Sequence, residues 1–442
     1  MHVACAANKD NTHMDIKVLK KIITPILILA ILVTAVIRIS PVVEKKRGHE
    51  LNDEFVKYKG DYDVVFFGSS HVDMGIDPQQ LWRDYGMTSY NMGNDAMDIK
   101  QTYWTIKVAL NYHEPKVIVL DCNGVGNIYG DKPESKGVGL VHDAFDCFPL
   151  SKAKVEAATD MYKRFDNLVD FLFPFSVYRG RWNELTEEDF RKDFQNLNHG
   201  AEIENNHKFF AKDSKSEIVP IDTSNGLPED AIYLKKLISL CEEKDIPLVL
   251  IYLPFIAEGQ RVGEAKLAGD IAEEAGVEYF NMLDMDVVDY RTDMQEFSHL
   301  NALGAKKVTS FLGDYLVSTY GLGNHWGDPE YDDWAESYNT YKEKYLLPNI
   351  TKQEDFTVLL AQLSNPEFGA YISVFNGTTF DEAEQLMLDQ IPNLYGVSDG
   401  DPNDNRNRCD FRVYIYDTNS GEEIAIKEFG RDMTFIQTTE DQ

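Results

Sequence analysis

Short apolar runs alternate with helical-period segments through the middle of the chain. Residues 63–67, 89–92, 116–122, 247–255 and 277–282 are brief and rich in β-branched and aromatic side chains. Runs of that length predict strands buried on both faces. Between them, 101–112, 228–244, 259–275 and 302–320 carry apolar residues every three or four positions and predict helices. The helix at 228 is announced by Pro228-Glu229-Asp230, with Leu234, Leu237, Ile238 and Cys241 on one face. Strand and helix in strict alternation predict an α/β domain over 61–322, a parallel five-stranded sheet with helices on both faces.

The alternation breaks twice. Residues 124–226 hold a helix-like run (153–172), the aromatic stretch Phe173-Pro174-Phe175-Ser176-Val177-Tyr178, and a polar tract through Asn205-Asn206. That is too long for a plain loop and predicts a helical insertion capping the strand ends. After Leu322 the pattern changes again. Residues 323–350 form a linker in which Trp326, Tyr331, Trp334, Tyr338 and Tyr341 recur at near-helical spacing. They predict an amphipathic helix on the body, with stacking on sugar rings as the alternative. Residues 351–442 predict a small C-terminal α+β module: helices at 351–363 and 381–391, and strands at 371–375, 411–416 and 422–429. Asp417-Thr-Asn-Ser-Gly421 reads as the turn between the last two strands. The oxygen-rich run 399–405 lacks the glycine and glutamate of a calcium loop and reads as a solvated turn.

At the N-terminus, Ile22 to Ile37 is uncharged without interruption. With Ile39, and with Lys21 and Arg38 at its ends, it approaches the roughly 20 residues a spanning helix needs. It is longer than a signal-peptide core and no small-x-small site follows it, so an uncleaved anchor over 22–39 is expected. Basic residues flank both ends: Lys17, Lys20 and Lys21 before, Arg38, Lys45, Lys46 and Arg47 after. The expected topology therefore rests on the large C-terminal body. Residues 1–21 form a cytoplasmic tail, 40–60 a stalk, and the body lies outside the cytoplasm in a single-pass arrangement.

The 442 residues carry a formal net charge of −31, which argues against a nucleic-acid partner. Cys5, Cys122, Cys147, Cys241 and Cys409 form no C-x-x-C pair, so no metal site is expected, and no cofactor motif appears. Cys122 and Cys241 read as core.

Two distant stretches carry chemistry. Asp63-Val64-Val65-Phe66-Phe67-Gly68-Ser69-Ser70-His71 delivers hydroxyls at the end of a buried strand. Glu296-Phe297-Ser298-His299-Leu300-Asn301 places an acid three positions before a histidine, ahead of a helix. Nucleophile, base and orienting carboxylate are the parts of acyl-transfer chemistry. His71 reads as a structural or surface residue.

In their order these stretches resemble the SGNH/GDSL-type hydrolases, most of all the membrane-anchored, cell-surface branch with the DltD-like proteins and alginate acetylation factors. The resemblance covers about residues 60–322. Its first block is Gly68-Ser69-Ser70, its second Asn91-Met92-Gly93, and its last Glu296-Phe297-Ser298-His299. The third, Asp121-Cys122-Asn123-Gly124, keeps only the asparagine of the family pattern, and Glu296 stands where the family has aspartate. The resemblance implies a flavodoxin-like sheet, Ser70 as nucleophile, His299 as base and Glu296 as orienting acid, with Asp293 the substitute. It implies an oxyanion hole from the Ser70 and Gly93 N–H groups and the Asn123 amide. Asp121 is expected to bond away from that hole. The activity implied is an extracytoplasmic O-acyl transferase or esterase acting on a cell-surface or exported glycan, partnered by a multi-pass membrane O-acyltransferase. The alternative is a non-catalytic, membrane-tethered glycan-binding or assembly component on the same fold.

Overall fold

The computed structural model describes residues 16–44, 53–127, 138–190, 197–208, 210, 217–401 and 409–430. Its centre is a five-stranded, all-parallel sheet in the order β2-β1-β3-β4-β5. The strands are β1 (Val64–Gly68), β2 (Ser89–Gly93), β3 (Val117–Asp121), β4 (Leu248–Tyr252) and β5 (Glu278–Asn281). The first four are buried along their whole length, β2 with its polar Ser89 and Asn91 included, whereas the edge strand β5 is partly exposed. Strand order reverses at β1, which lies between β2 and β3. In open parallel sheets that reversal opens a crevice at the carboxyl ends, where ligands bind.

The expected helices are present as Ile99–Ala109, Glu229–Lys244, Gln260–Ala275 and Ala302–Tyr320. Two further helices follow β1. Ser70–Gly75 is short, and Pro78–Tyr85 has Asp77 at its N-cap, Pro78 in its first turn and Gly86 left-handed at its end. Those capping signals are legible in the sequence, but the helices are too short for a clear period.

The insertion differs from expectation. The run at 153–172 is two helices, Lys152–Met161 and Phe165–Leu172, and Val138–Phe145 precedes them. They pack on the flank of the helix Ile99–Ala109. Lys152–Met161 lies along Ile99–Ala109, with Trp104 Nε1 donating to Asp160 at 2.8 Å and Lys107 to Glu156 at 3.1 Å. Phe148 packs on Phe55 and Tyr112, below the start of the strands. What borders the carboxyl ends is chain without regular structure. The His199 carbonyl accepts the Asn91 N–H at 2.9 Å, the Glu202 N–H reaches the Asp73 carbonyl, and the Lys208 N–H reaches the Met294 carbonyl. Backbone pairing to an open edge gives this segment its place without any helical pattern.

The C-terminal module has a mixed sheet in the order β7-β6-β8-β9: β6 (Phe368–Val374), β7 (Leu394–Asp399), β8 (Phe411–Asp417) and β9 (Glu423–Phe429). The turn at 417–421 closes through the Gly421 N–H to the Asp417 carbonyl at 2.8 Å. The edge strand β7 is largely exposed and gave no apolar pattern. The oxygen-rich run at 399–405 lies mostly outside the described residues. Helix Asp332–Tyr341 packs on the body, burying Trp334, whose Nε1 donates to the Tyr58 hydroxyl at 2.8 Å.

One helix, Ile16–Val43, contains an apolar stretch long enough to cross a membrane, with mean hydropathy 2.6 and almost all of it exposed. The expected stalk is in part body: Val43, Glu44 and Phe55 are buried, and Phe55 packs in the main core.

Candidate active site

β1 ends at Gly68, and its bare α-carbon lets the chain turn. A Cβ there would stand 2.6 Å from Val72 Cγ2 and 2.9 Å from Asp121 Cβ. Ser69 caps the Ser70–Gly75 helix, which leaves Ser70 as its first residue above the carboxyl end of β1. The His299 loop arrives from beyond β5. The Gln295 N–H bonds the His299 carbonyl at 3.0 Å, and Met294 bridges Leu300. Asn301, fully buried, pins the loop. Its amide donates to the Thr292 and Met294 carbonyls, and its oxygen caps the Ala302–Tyr320 helix through the Leu303 and Gly304 N–H groups.

These two supports bring a hydroxyl, an imidazole and a carboxylate into line. Ser70 Oγ lies 2.8 Å from His299 Nε2, and His299 Nδ1 lies 2.5 Å from Glu296 Oε1. Glu296 Oε2 accepts the Ser298 N–H at 3.0 Å, which fixes the carboxylate. His299 is about a quarter exposed and Glu296 a third, so the chain opens to solvent. Asp293 does not reach His299. It is fully buried and holds the Lys307 ammonium at 2.6 Å, the Thr292 hydroxyl at 2.8 Å and the Asp289 N–H at 2.6 Å.

The three expected oxyanion donors stand differently. The Ser70 N–H has no hydrogen-bond partner among the described residues. The Gly93 N–H is donated to Asn91 Oδ1 at 2.9 Å. The Asn91 amide in turn holds the Val72 and Ile76 carbonyls, each at 2.8 Å, so this asparagine straps the Ser70–Gly75 helix to β2. Gly93 is bare because that helix lies against it: a Cβ would sit 2.3 Å from the Asp73 nitrogen. The close approach that demands glycine is therefore the chain's own backbone. Asn123 lies between two side chains, with Oδ1 accepting from Arg261 Nη1 at 3.2 Å and Nδ2 turned toward His71 Nδ1 at 3.5 Å. Arg261 thereby sets which way the amide points.

Four neighbours complete the wall. Arg261 pairs with buried Glu264 at 2.8 Å, and burial holds that carboxyl above its ordinary pKa. His71 packs edge-on to Phe255 and to His299, with ring centroids 4.6 Å and 5.4 Å away. Burial, with the positive fields of His299 and Arg261, pulls its pKa down to about 3, so the ring is neutral near neutral pH. The ring is half-buried, and its packing on Phe255 beside His299 accords with a structural role. Asp121 accepts the Leu253 N–H at 3.1 Å, bonding away from Ser70, and burial raises its pKa to about 7. Sequence reasoning missed Arg261 and Glu264, since a charged pair near the start of a helix gives no signal of what it faces.

Comparison of the chain with family models, with curated proteins and with solved structures returns no match in any of the three.

Proposed function

We propose that the protein is an SGNH-type, serine-dependent O-acyl transferase or esterase acting on a glycan outside the cytoplasm. The observation that carries this reading is the aligned Ser70–His299–Glu296 chain at the carboxyl ends of the parallel sheet. In this mechanism Ser70 Oγ attacks the acyl carbonyl while its proton passes to His299 Nε2. Glu296 keeps the ring proton on Nδ1 and stabilises the imidazolium. The oxyanion faces the Ser70 N–H and the Asn123 amide. Collapse breaks the ester C–O bond, and His299 returns its proton to the leaving alcohol. A sugar hydroxyl or water, deprotonated by His299, then attacks the acyl-serine and releases Ser70. Phe297, 61% exposed beside His299, offers an apolar face to a sugar ring.

The N-terminal helix is read as a single-pass anchor with the body outside, where a multi-pass membrane O-acyltransferase would supply the acyl group. A second reading, a non-catalytic glycan-binding component, draws on one observation: the Gly93 N–H is already engaged, leaving the hole one donor short. A fluorophosphonate probe on the full-length protein separates the two. Labelling that disappears in Ser70→Ala and in His299→Ala is expected. An unlabelled, folded wild type would favour the binding component.

A further inference from the structure

The N-terminal helix meets the body at one neighbourhood. Its end packs on the helix Phe175–Tyr178 and the turn Glu188–Phe190. Arg181 Nη1 donates to the Val43 carbonyl at 2.7 Å, and Val43 itself is buried. Three large apolar side chains stand within two residues of these contacts, and all are exposed: Phe173 by 55%, Trp182 by 62% and Phe190 by 61%. Arg179, also exposed, stands among them.

Large aromatic side chains gathered in one exposed place mark a contact surface. Here the neighbour that continues the patch is known. From Ile23 (50%) through Leu29 (62%) to Ile37 (63%), the helix leading into it is uncharged and exposes mostly large apolar side chains. A surface that begins as an uncharged, mostly apolar helical run and ends in a collar of Trp, Phe and Arg matches the course from acyl chains to headgroups. A protein partner would not require the collar to sit at the exit of that helix.

The collar also has a direction. Glu44 lies close enough to Lys154 and Tyr178 to act on their charge. The Lys154 ammonium donates to the Phe145 and Phe148 carbonyls, and Phe148 packs beneath the starts of the strands. Ser70 stands at their other ends, about 17 Å away for strands of five residues.

We propose that residues 173–190 form an interfacial membrane-binding surface. It seats the amino-terminal side of the sheet on the bilayer and turns the Ser70 site away from it. The inference rests on reading the N-terminal helix as a membrane anchor. It deepens the functional reading, since a site held off the bilayer takes its acceptor from a polymer in the aqueous layer and not from a lipid embedded beneath it.

The test uses full-length protein in phosphatidylcholine–phosphatidylglycerol vesicles containing brominated acyl chains, which quench nearby tryptophan fluorescence. Wild type should be quenched, and Trp182→Phe should lose that quenching; an exposed side chain makes the variant safe for folding. In the Trp182→Phe background two added reporters separate the outcomes. Leu29→Trp should be strongly quenched and Phe297→Trp should not. An unquenched Leu29→Trp would overturn the anchor and the seating together. A quenched Leu29→Trp with equal wild-type and Trp182→Phe signals would overturn the seating alone. Quenching of Phe297→Trp would overturn the orientation.

Discussion

Glu296 is one methylene longer than the aspartate of the resembled family, and its loop uses that length. One carboxylate oxygen meets His299 Nδ1 while the other is held by the Ser298 N–H. Glu296→Gln keeps the shape but loses the imidazolium's partner. The expected result is a fall in kcat on a small acetyl ester, on the order of the ~10⁴ seen in the serine-protease analogue. Glu296→Asp should fall between wild type and Gln, because the shorter side chain reaches Nδ1 only if the loop gives. Steady-state kinetics decides this, and a Gln variant within tenfold of wild type would remove Glu296 from its role. Asp121 provides a pH signature of the fold. Its folded pKa is raised to about 7 by burial, above the ordinary 3.8. Between those values the native state holds a proton that the unfolded chain has lost, so this group makes stability fall as pH rises. The loss runs at about 1.4 kcal/mol per pH unit and ends near pH 7. Denaturant melts of Asp121→Asn should therefore show a gain over wild type at pH 8 that shrinks toward pH 4. A gain that does not change with pH would contradict the shift.

At the scale of elements, the placement of Ser70 depends on a helix of six residues, too short to hold itself. Asn91 supplies the missing constraint, with two amide bonds to the helix carbonyls and one acceptor bond from Gly93. Asn91→Ala would strand those buried groups at about 1–3 kcal/mol for each left unsatisfied. The expected outcome is a lower denaturation midpoint together with reduced esterase activity. If stability falls and the remaining folded protein keeps full kcat, the strap does not position the nucleophile. Gly93→Ala should be worse for folding, because its Cβ meets backbone and not a side chain that can swing aside.

At the scale of the whole molecule, the C-terminal module is joined to the machinery. Leu303, two residues after the loop-pinning Asn301, is buried in the module's core with Phe356, Leu360 and Phe368. Gln390 donates to the Thr292 hydroxyl at 3.1 Å, in the same loop. A chain ending at residue 350 should therefore lose thermal stability and most activity toward a small soluble ester, although every residue of the Ser70–His299–Glu296 chain is retained. Melting curves and ester turnover of the truncated chain check this, and full activity would mean that the module is an independent appendage.

The strands and long helices of the body were legible because burial on two faces, or on one helical face, leaves a period in the sequence that no distant contact is needed to explain. The two chemical stretches were legible because the turn after β1 and the loop before the last helix of the body are local structures with local signals. The sequence also placed Glu296 and His299 at a spacing that lets one turn of chain join them. Which carboxylate meets the histidine was a tertiary matter: Lys307, fourteen residues on, claims Asp293. So was the engagement of Gly93 by the Asn91 side chain, and the turning of Asn123 by Arg261 from a helix 138 residues away. The insertion's helices have an apolar face in either position, and only packing along the Ile99–Ala109 helix put them on its flank. Periodicity records that a residue is buried. It does not record which surface buries it, and it is that surface that decides which groups are left free to react.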